Sequence, residues 1–198
     1  MQAIASPSKL SLESPLRLWT IEEYHRMAEV GILQPDEPVE LISGQIIRKM
    51  SPQKSLHAAA ITRTERQLRN GLGDRVLLRI QLPIELNSYS EPEPDIAIVQ
   101  PDPRDYADNH PIVSQVYAIV EVADTTLRRD CSLKARNYAN SGIEDYWVLD
   151  IENRQLHLFR EPTSEGYNSE SILSEDNEVS PLQFPELRIR IQEILPPV

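Results

Sequence analysis

The 198-residue sequence has one cysteine and six glycines, and several common signatures are missing from it. Its single cysteine, Cys131, cannot form an internal disulfide, which is typical of the reducing cytoplasm, so we expect a cytoplasmic protein. No apolar run approaches the ~20 residues of a membrane-spanning helix, and residues 1–15 do not resemble a secretory signal. Glycine-rich phosphate loops, internal repeats and coiled-coil heptads are also missing. We therefore expect no membrane partner and no disulfide framework.

Positive charge is also scarce, since 20 lysines and arginines face 31 acidic residues and the net charge is −11. Phosphate contacts dominate nucleic-acid affinity, and proteins that bind nucleic acid strongly usually show a basic surface. Basic residues cluster only in segments 63–69 and 128–136, whereas acidic residues concentrate in segments 91–108 and 164–178. The composition disfavours strong nonspecific binding and is compatible with weak or metal-dependent binding.

The order of the predicted elements indicates one mixed sheet. Residues 1–15 are rich in serine and proline and are predicted to be disordered, and residues 16–198 have a length typical of one domain. The 16 prolines fall mainly in loops, which argues against a mostly helical chain. Helices alternate with groups of strands, so the predicted class is α/β (α+β), with a mixed sheet and additional β-hairpins.

Three helices are predicted from their start and stop signals. Thr20 and Glu23 form a capping box for a helix ending near Gly31; a second helix begins at Ser51-Pro52 and ends near Gly71. A third runs from about Arg129 to Ser141 and stops at Gly142. The predicted strands are Val39–Ile42, Gln45–Met50, Val76–Leu86, Ile96–Val99, Val116–Ala123, Tyr146–Asp150 and Gln155–Arg160, with two or three weaker strands between Tyr167 and Leu195.

One acidic residue, Glu121, interrupts the otherwise apolar run 117–123. Such a run is typical of a strand covered on both faces, where an unpaired carboxylate costs several kcal/mol. Asp95 stands at the start of another apolar strand. Two carboxylates on neighbouring strands can share one Mg²⁺ ion, so this pattern predicts a metal site. In the alternative interpretation, Asp95 is a turn residue after Pro94, and Glu121 is a buried residue that pairs with an arginine.

Five segments stand out in the sequence: 39–46 (VELISGQI), 51–57 (SPQKSLH), 91–99 (EPEPDIAIV), 120–134 (VEVADTTLRRDCSLK) and 146–150 (YWVLD). Taken in this order, they resemble the Uma-two family, which is described as restriction endonucleases of the PD-(D/E)xK nuclease superfamily. The resemblance spans about residues 18–195.

The resemblance implies a restriction-endonuclease-like fold and a Mg²⁺- or Mn²⁺-dependent endonuclease that hydrolyses phosphodiester bonds of nucleic acid, with DNA as the expected substrate. It is also compatible with a homodimer. Matched position by position, it makes Asp95 and Glu121 the metal ligands. Glu40 and His57 match the first two motifs of the family and are expected to line the same cleft as accessory residues.

The expected catalytic lysine is displaced in this sequence. The superfamily pattern places lysine two positions after the glutamate, where this chain has Ala123. Lys134, on the following helix, matches the lysine position of the family and is the predicted third catalytic residue. The alternative is a surface pair between Lys134 and Asp130, four residues apart on the helix.

Other interpretations remain open. Glu40 could pair with Lys49 across its hairpin, and His57 could be a histidine of the core or its edge. Tyr138 is predicted to pack against Trp147. Two other functions compete with the enzyme: a catalytically silent or regulatory binding module that retains the nuclease fold, and a protein-interaction dimer in which the carboxylates pair with arginines.

Overall fold

The computed structural model describes residues 16–34, 36–49 and 54–197. The predicted disordered segment 1–15 and the predicted helix start at Ser51-Pro52 lie outside these residues. A small antiparallel hairpin, β1 (Val39–Ile42) and β2 (Gln45–Arg48), comes first. It contacts the main sheet region through a bridge between Leu41 and Glu91.

The main sheet has six strands in the spatial order β3-β4-β5-β6-β7-β8. Only β5 and β6 run parallel; every other neighbouring pair in this sheet is antiparallel. The predicted mixed sheet is therefore confirmed. Its strands are β3 (Leu77–Ile80), β4 (Ile96–Val99), β5 (Val116–Ala123), β6 (Asp145–Asp150), β7 (Gln155–Thr163) and β8 (Gly166–Ser174), and two short strands, β9 (Glu178–Val179) and β10 (Ile189–Arg190), pair separately.

Helices cover both faces of the sheet. Thr20 caps the first helix: its hydroxyl oxygen accepts from the Glu23 amide, and the Glu23 carboxylate accepts from the Thr20 amide, as the capping box predicts. Gly142, at φ 89°, ends the third helical region in the left-handed conformation. In the part of the chain that is described, no helix is long and apolar enough to cross a membrane. The helices are α1 (Ile21–Glu29), α2 (Ser55–Leu72), α3 (Leu127–Arg129), α4 (Ala135–Ser141) and α5 (Ile191–Ile194), with a π-helical turn at Asp130–Lys134.

Two apolar clusters fill the space between the sheet and the helices. Alternate residues of a strand point to opposite faces, and β5 follows this rule. Val120 and Val122 join the cluster under α2 and α5. Ile119 and Ala123 join the cluster under α4. Glu121 has the same parity as Ile119 and Ala123, so its carboxylate lies on the face that the π-helical turn and α4 cover.

Two sequence predictions about strands were wrong in extent. The predicted strand Val76–Leu86 ends at Ile80, because Gln81 takes a positive φ of 53° and Pro83 has no amide proton for a ladder. The tail was expected to hold only weak strands, but β8 is nine residues long and pairs with β7 over most of its length. Cross-strand pairing thus outweighs the polar composition of β8.

Candidate active site

Asp95 and Glu121 are brought together by the register of β4 and β5. Ile96 pairs with Val120 in this antiparallel ladder, and one further step places Asp95 opposite Glu121. Opposed residues in a ladder share a face of the sheet. Both residues line one cleft at this end of β4. The predicted juxtaposition of two carboxylates from neighbouring strands is therefore present in the structure.

The carboxylate of Asp95 is held by three polar contacts. The backbone amide of Val122 donates to Oδ2 at 2.8 Å, and the Gln81 side chain donates to Oδ1 at 3.1 Å. His57 Nε2 lies 3.3 Å from Oδ2. Burial alone would raise the pKa of Asp95, but His57, the Val122 amide and Gln81 together lower it below its usual value. Asp95 is thus an ionised carboxylate held in a fixed orientation, and it has more contacts than a simple turn residue.

Glu121 is almost fully buried, at 4% exposure. Its Oε1 accepts two hydrogen bonds of 2.8 Å, one from Lys134 Nζ and one from the Tyr138 hydroxyl. Burial raises the pKa of Glu121 to about 8; Lys134 opposes this shift, and the charges of Asp95 and other nearby acids add to it. The cation beside Glu121 is therefore a lysine, where the alternative interpretation expected an arginine.

Lys134 reaches the cleft from the π-helical turn. Its ammonium lies 2.8 Å from Glu121 Oε1 and 3.6 Å from Glu40 Oε2, and its side chain is only 4% exposed. Burial would lower the pKa of Lys134, but the surrounding carboxylates raise it above its usual value, so the ammonium is charged. Asp130 is not within salt-bridge distance of Lys134; its closest cation is Arg129, at 3.7 Å. The structure places Lys134 in the cleft, in contrast to the surface-pair alternative.

Glu40 enters the same cleft from β1. Its Oε2 accepts a hydrogen bond from the Glu93 amide at 3.3 Å, while its buried Oε1 has no hydrogen-bond partner among the described residues. Lys49, the alternative partner of Glu40, instead forms an ion pair with Glu93. A buried carboxylate oxygen without a donor is costly unless a further cation or water is bound beside it.

His57 stands near the start of α2 and faces Asp95. Burial lowers the pKa of His57, but the hydrogen bond and charge of Asp95 outweigh it, so the pKa is raised. The ring nitrogen Nδ1 is buried and has no hydrogen-bond partner in the described part of the chain. His57 is thus both a helix residue packed at the edge of the core and a direct neighbour of a predicted metal ligand.

The cleft that these residues share encloses about 510 Å³. It is lined by six carboxylates and four basic side chains besides His57, a formal excess of two negative charges. One divalent cation would neutralise that excess. The charged lining residues are Glu40, Glu93, Asp95, Glu121, Asp124, Asp130, Lys49, Lys54, Arg129 and Lys134.

The donor set of the cleft fits a hard cation with few protein ligands. Within residues 16–34, 36–49 and 54–197, no group of three or more His, Cys, Asp or Glu side chains is arranged to hold a metal by itself. Mg²⁺ usually keeps several waters and is bound by one or two carboxylates together with substrate phosphate. Asp95 and Glu121 supply two carboxylates, so they match this requirement, whereas a zinc site of four protein ligands would not form here.

Three residues in or beside the cleft have positions that sequence reasoning did not predict. Tyr138 was predicted to pack against Trp147; instead its hydroxyl donates to Glu121, and its ring lies 4.8 Å from that of Tyr146. Gln81 follows a strand that ended earlier than predicted. Asp130 is buried, and its Oδ1 has no hydrogen-bond partner among the described residues. The spacing from Lys134 to Tyr138, one helical turn, was the available signal for Tyr138.

Comparisons with known proteins identify the family and the fold. The sequence model of the Uma2 family, described as "Putative restriction endonuclease", matches residues 21–192. A crystal structure described as a putative nuclease belonging to DUF820, from Anabaena variabilis, superposes with a TM-score of 0.66 at 18% identity. The match covers 88% of this chain and 96% of that one, which shows the fold. No curated protein matches the sequence.

Proposed function

Because the chain belongs to the Uma2 family of restriction-endonuclease-like proteins, we propose that it is a metal-dependent nuclease that hydrolyses phosphodiester bonds in nucleic acid, with DNA as its substrate. The observation that carries the proposal is the meeting of Asp95, Glu121 and Lys134 in one cleft. The structural neighbour described as a nuclease supports the same reaction class.

Asp95 and Glu121 are the proposed cation ligands, with Mg²⁺ or Mn²⁺ as the bound ion. Glu121 lies in β5 and Asp95 comes directly before β4; the β4–β5 ladder and the bond from the Val122 amide to Asp95 hold the two carboxylates near each other. A divalent cation bound there would supply positive charge against the negative charge that develops on the scissile phosphate. Glu40 is the proposed accessory ligand or water anchor, through its unpartnered oxygen Oε1.

Lys134 is the proposed catalytic lysine. Lys134 lines the cleft, is almost fully buried and carries a charged ammonium, so it can donate hydrogen bonds to an attacking water or to a phosphate oxygen. Preorganised donors of this kind stabilise charge that develops in the transition state. His57 is the proposed positioning residue for Asp95, because it contacts the same oxygen that receives the Val122 amide.

The rim of the cleft provides a local field for a phosphate backbone despite the acidic chain. Lys54 is 62% exposed beside Asp124, and Arg129 lines the opening near Asp130. With a divalent cation bound, the cleft is formally neutral, so the nearby acids cancel less of the positive charge of Lys54 and Arg129 at the rim. We therefore propose that nucleic-acid binding depends on the metal. We also propose a homodimer that presents two such clefts.

The first test is thermal unfolding of the protein with and without Mn²⁺ or Mg²⁺. If only the folded state binds, an ion at ten times its dissociation constant adds about 1.4 kcal/mol to the free energy of unfolding. For a chain of this size the melting temperature should rise by roughly 3–6 °C. Glu121→Gln keeps the side-chain shape but removes a charged ligand, so the rise should largely disappear. Equal rises in both proteins would place the cation elsewhere.

A second candidate function is the silent binding module, which is favoured by Ala123 at the usual lysine position. Its test is a cleavage assay on supercoiled plasmid and on labelled single strands in Mn²⁺. Metal-dependent cleavage that is lost in both Glu121→Gln and Asp95→Asn supports the nuclease. A protein that binds Mn²⁺ and DNA but cleaves neither substrate supports the binding module instead.

A further inference from the structure

The carboxylate of Glu121 has two unequal oxygens. Oε1 accepts from both Lys134 and Tyr138 at 2.8 Å, so its accepting capacity is used. Oε2 receives no hydrogen bond from the described residues, and Glu121 lines the cleft. The two donors thus fix which oxygen is left for a ligand.

The two donors differ in what else they do. Lys134 is shared with Glu40 at 3.6 Å, and in the proposed reaction its ammonium must also serve the water or the phosphate. Tyr138 has no second acceptor among the described residues, and its ring is fully buried, at 0% exposure. Its ring is packed against Tyr146, so the hydroxyl cannot follow the substrate. Tyr138 is therefore the donor that can hold Glu121 while Lys134 is engaged elsewhere.

We propose that Tyr138 is a positioning residue that anchors Oε1 of Glu121 and thereby directs Oε2 toward the bound cation. This inference rests on the proposed function, because it assumes that Glu121 is a cation ligand. Partners that orient a metal ligand from behind typically affect metal affinity or activity by about tenfold or more when they are removed. The tyrosine hydroxyl would do this without contacting the metal or the substrate.

The test is the dissociation constant of Mn²⁺, measured by electron paramagnetic resonance of the free ion, in wild type and in Tyr138→Phe. Phenylalanine keeps the buried ring and removes only the hydroxyl. We expect Mn²⁺ binding to weaken about tenfold. The matched control is Tyr167→Phe, which removes a hydroxyl that donates to the Ile143 carbonyl at 2.8 Å, away from the cleft. Its Mn²⁺ affinity should equal that of wild type.

The outcomes separate this inference from the function on which it rests. If wild type binds Mn²⁺ and Tyr138→Phe binds it equally well, the positioning role is wrong and the nuclease proposal stands. If wild type does not bind Mn²⁺, the proposed site itself fails. If Tyr138→Phe does not fold, a second measurement on the wild-type protein tests the same inference. In wild type labelled with ¹³Cζ-tyrosine, Mg²⁺ should shift the Tyr138 resonance and leave that of Tyr167 in place; an unchanged Tyr138 resonance at saturating Mg²⁺ would also overturn the inference.

Discussion

Replacement of Lys134 by methionine tests whether the buried charge network stabilises the protein. Methionine keeps most of the side-chain length but removes the ammonium that lies between Glu121 and Glu40. All three side chains are at most 5% exposed, so solvent screens their charges little. Removing one partner of a buried ion pair leaves an uncompensated charge and typically costs about 3–5 kcal/mol.

For a chain of this size, that loss corresponds to a melting temperature lower by roughly 6–20 °C. The loss should depend on pH with a definite sign. The pKa of Glu121 is already raised to about 8, and it should rise further without the ammonium. An acid whose pKa is raised in the folded state binds its proton more tightly there, so stability falls as the pH rises through that pKa. The variant should therefore lose more stability near about pH 9 than near about pH 6.

The assay is urea unfolding followed by tryptophan fluorescence, in metal-free buffer. The control is Lys54→Ala, because Lys54 forms an exposed pair with Asp124 at 2.9 Å, and such pairs contribute about 1 kcal/mol or less. The double variant Lys134→Met/Glu121→Gln should lose less stability than the sum of the single variants, since it removes both charges. A Lys134→Met protein as stable as Lys54→Ala, or additive losses in the cycle, would refute the buried-network argument.

Two further predictions concern the contact between His57 and Asp95 and the close packing of Gly44 against Leu18. In NMR titrations of metal-free protein, His57 should have a pKa above 6.5, and this pKa should fall in Asp95→Asn. The stability that the His57–Asp95 contact adds should be present below pH 6.5 and be lost as the pH rises past the raised pKa. An unchanged His57 titration in Asp95→Asn would contradict the pairing. Gly44→Ala should lose more stability than Gly31→Ala in the same urea assay, by about 1 kcal/mol or more. Both glycines have positive φ, but only the new Cβ at Gly44 would lie 2.6 Å from Leu18 Cβ. The Leu18 segment is held in place by the hydrogen bond from the Trp19 amide to the Gly44 carbonyl. Equal losses would mean that the Leu18 segment moves aside freely.

The predictable part of the fold has a local physical signal. The capping box of Thr20 and Glu23, the glycine that ends α4 and the apolar runs of β4 and β5 are each encoded within a few neighbouring residues. The pair of carboxylates was found for a related reason, because a single charge in a buried strand needs compensation. The resemblance to a family then supplied Glu40, His57 and Lys134, which lie on three different elements and share no local pattern.

The parts that sequence reasoning missed depend on contacts between distant segments. β8 has a polar sequence and forms because β7 lies beside it, with pairs such as Leu156 and Leu173. The hydrogen bond from Tyr138 to Glu121 joins residues 17 positions apart in sequence. The π-helical turn at Asp130–Lys134 adds a residue to one turn, and no periodicity of the sequence indicates it.

That π-helical turn shows how the proposed catalytic lysine can lie on the helix after β5 instead of on the strand. A lysine at the position of Ala123 would share a face of β5 with Glu121, because the two positions are two residues apart. Ala123 instead lies in the same apolar cluster as Ala135 of α4, and two such small residues let the helix lie close to the strand. The wider π turn places Asp130 and Lys134, four residues apart, on one side of the helix, and both are buried toward the cleft. The helix therefore brings the Lys134 ammonium to within 2.8 Å of Glu121, on the same face of β5 that a lysine at position 123 would share.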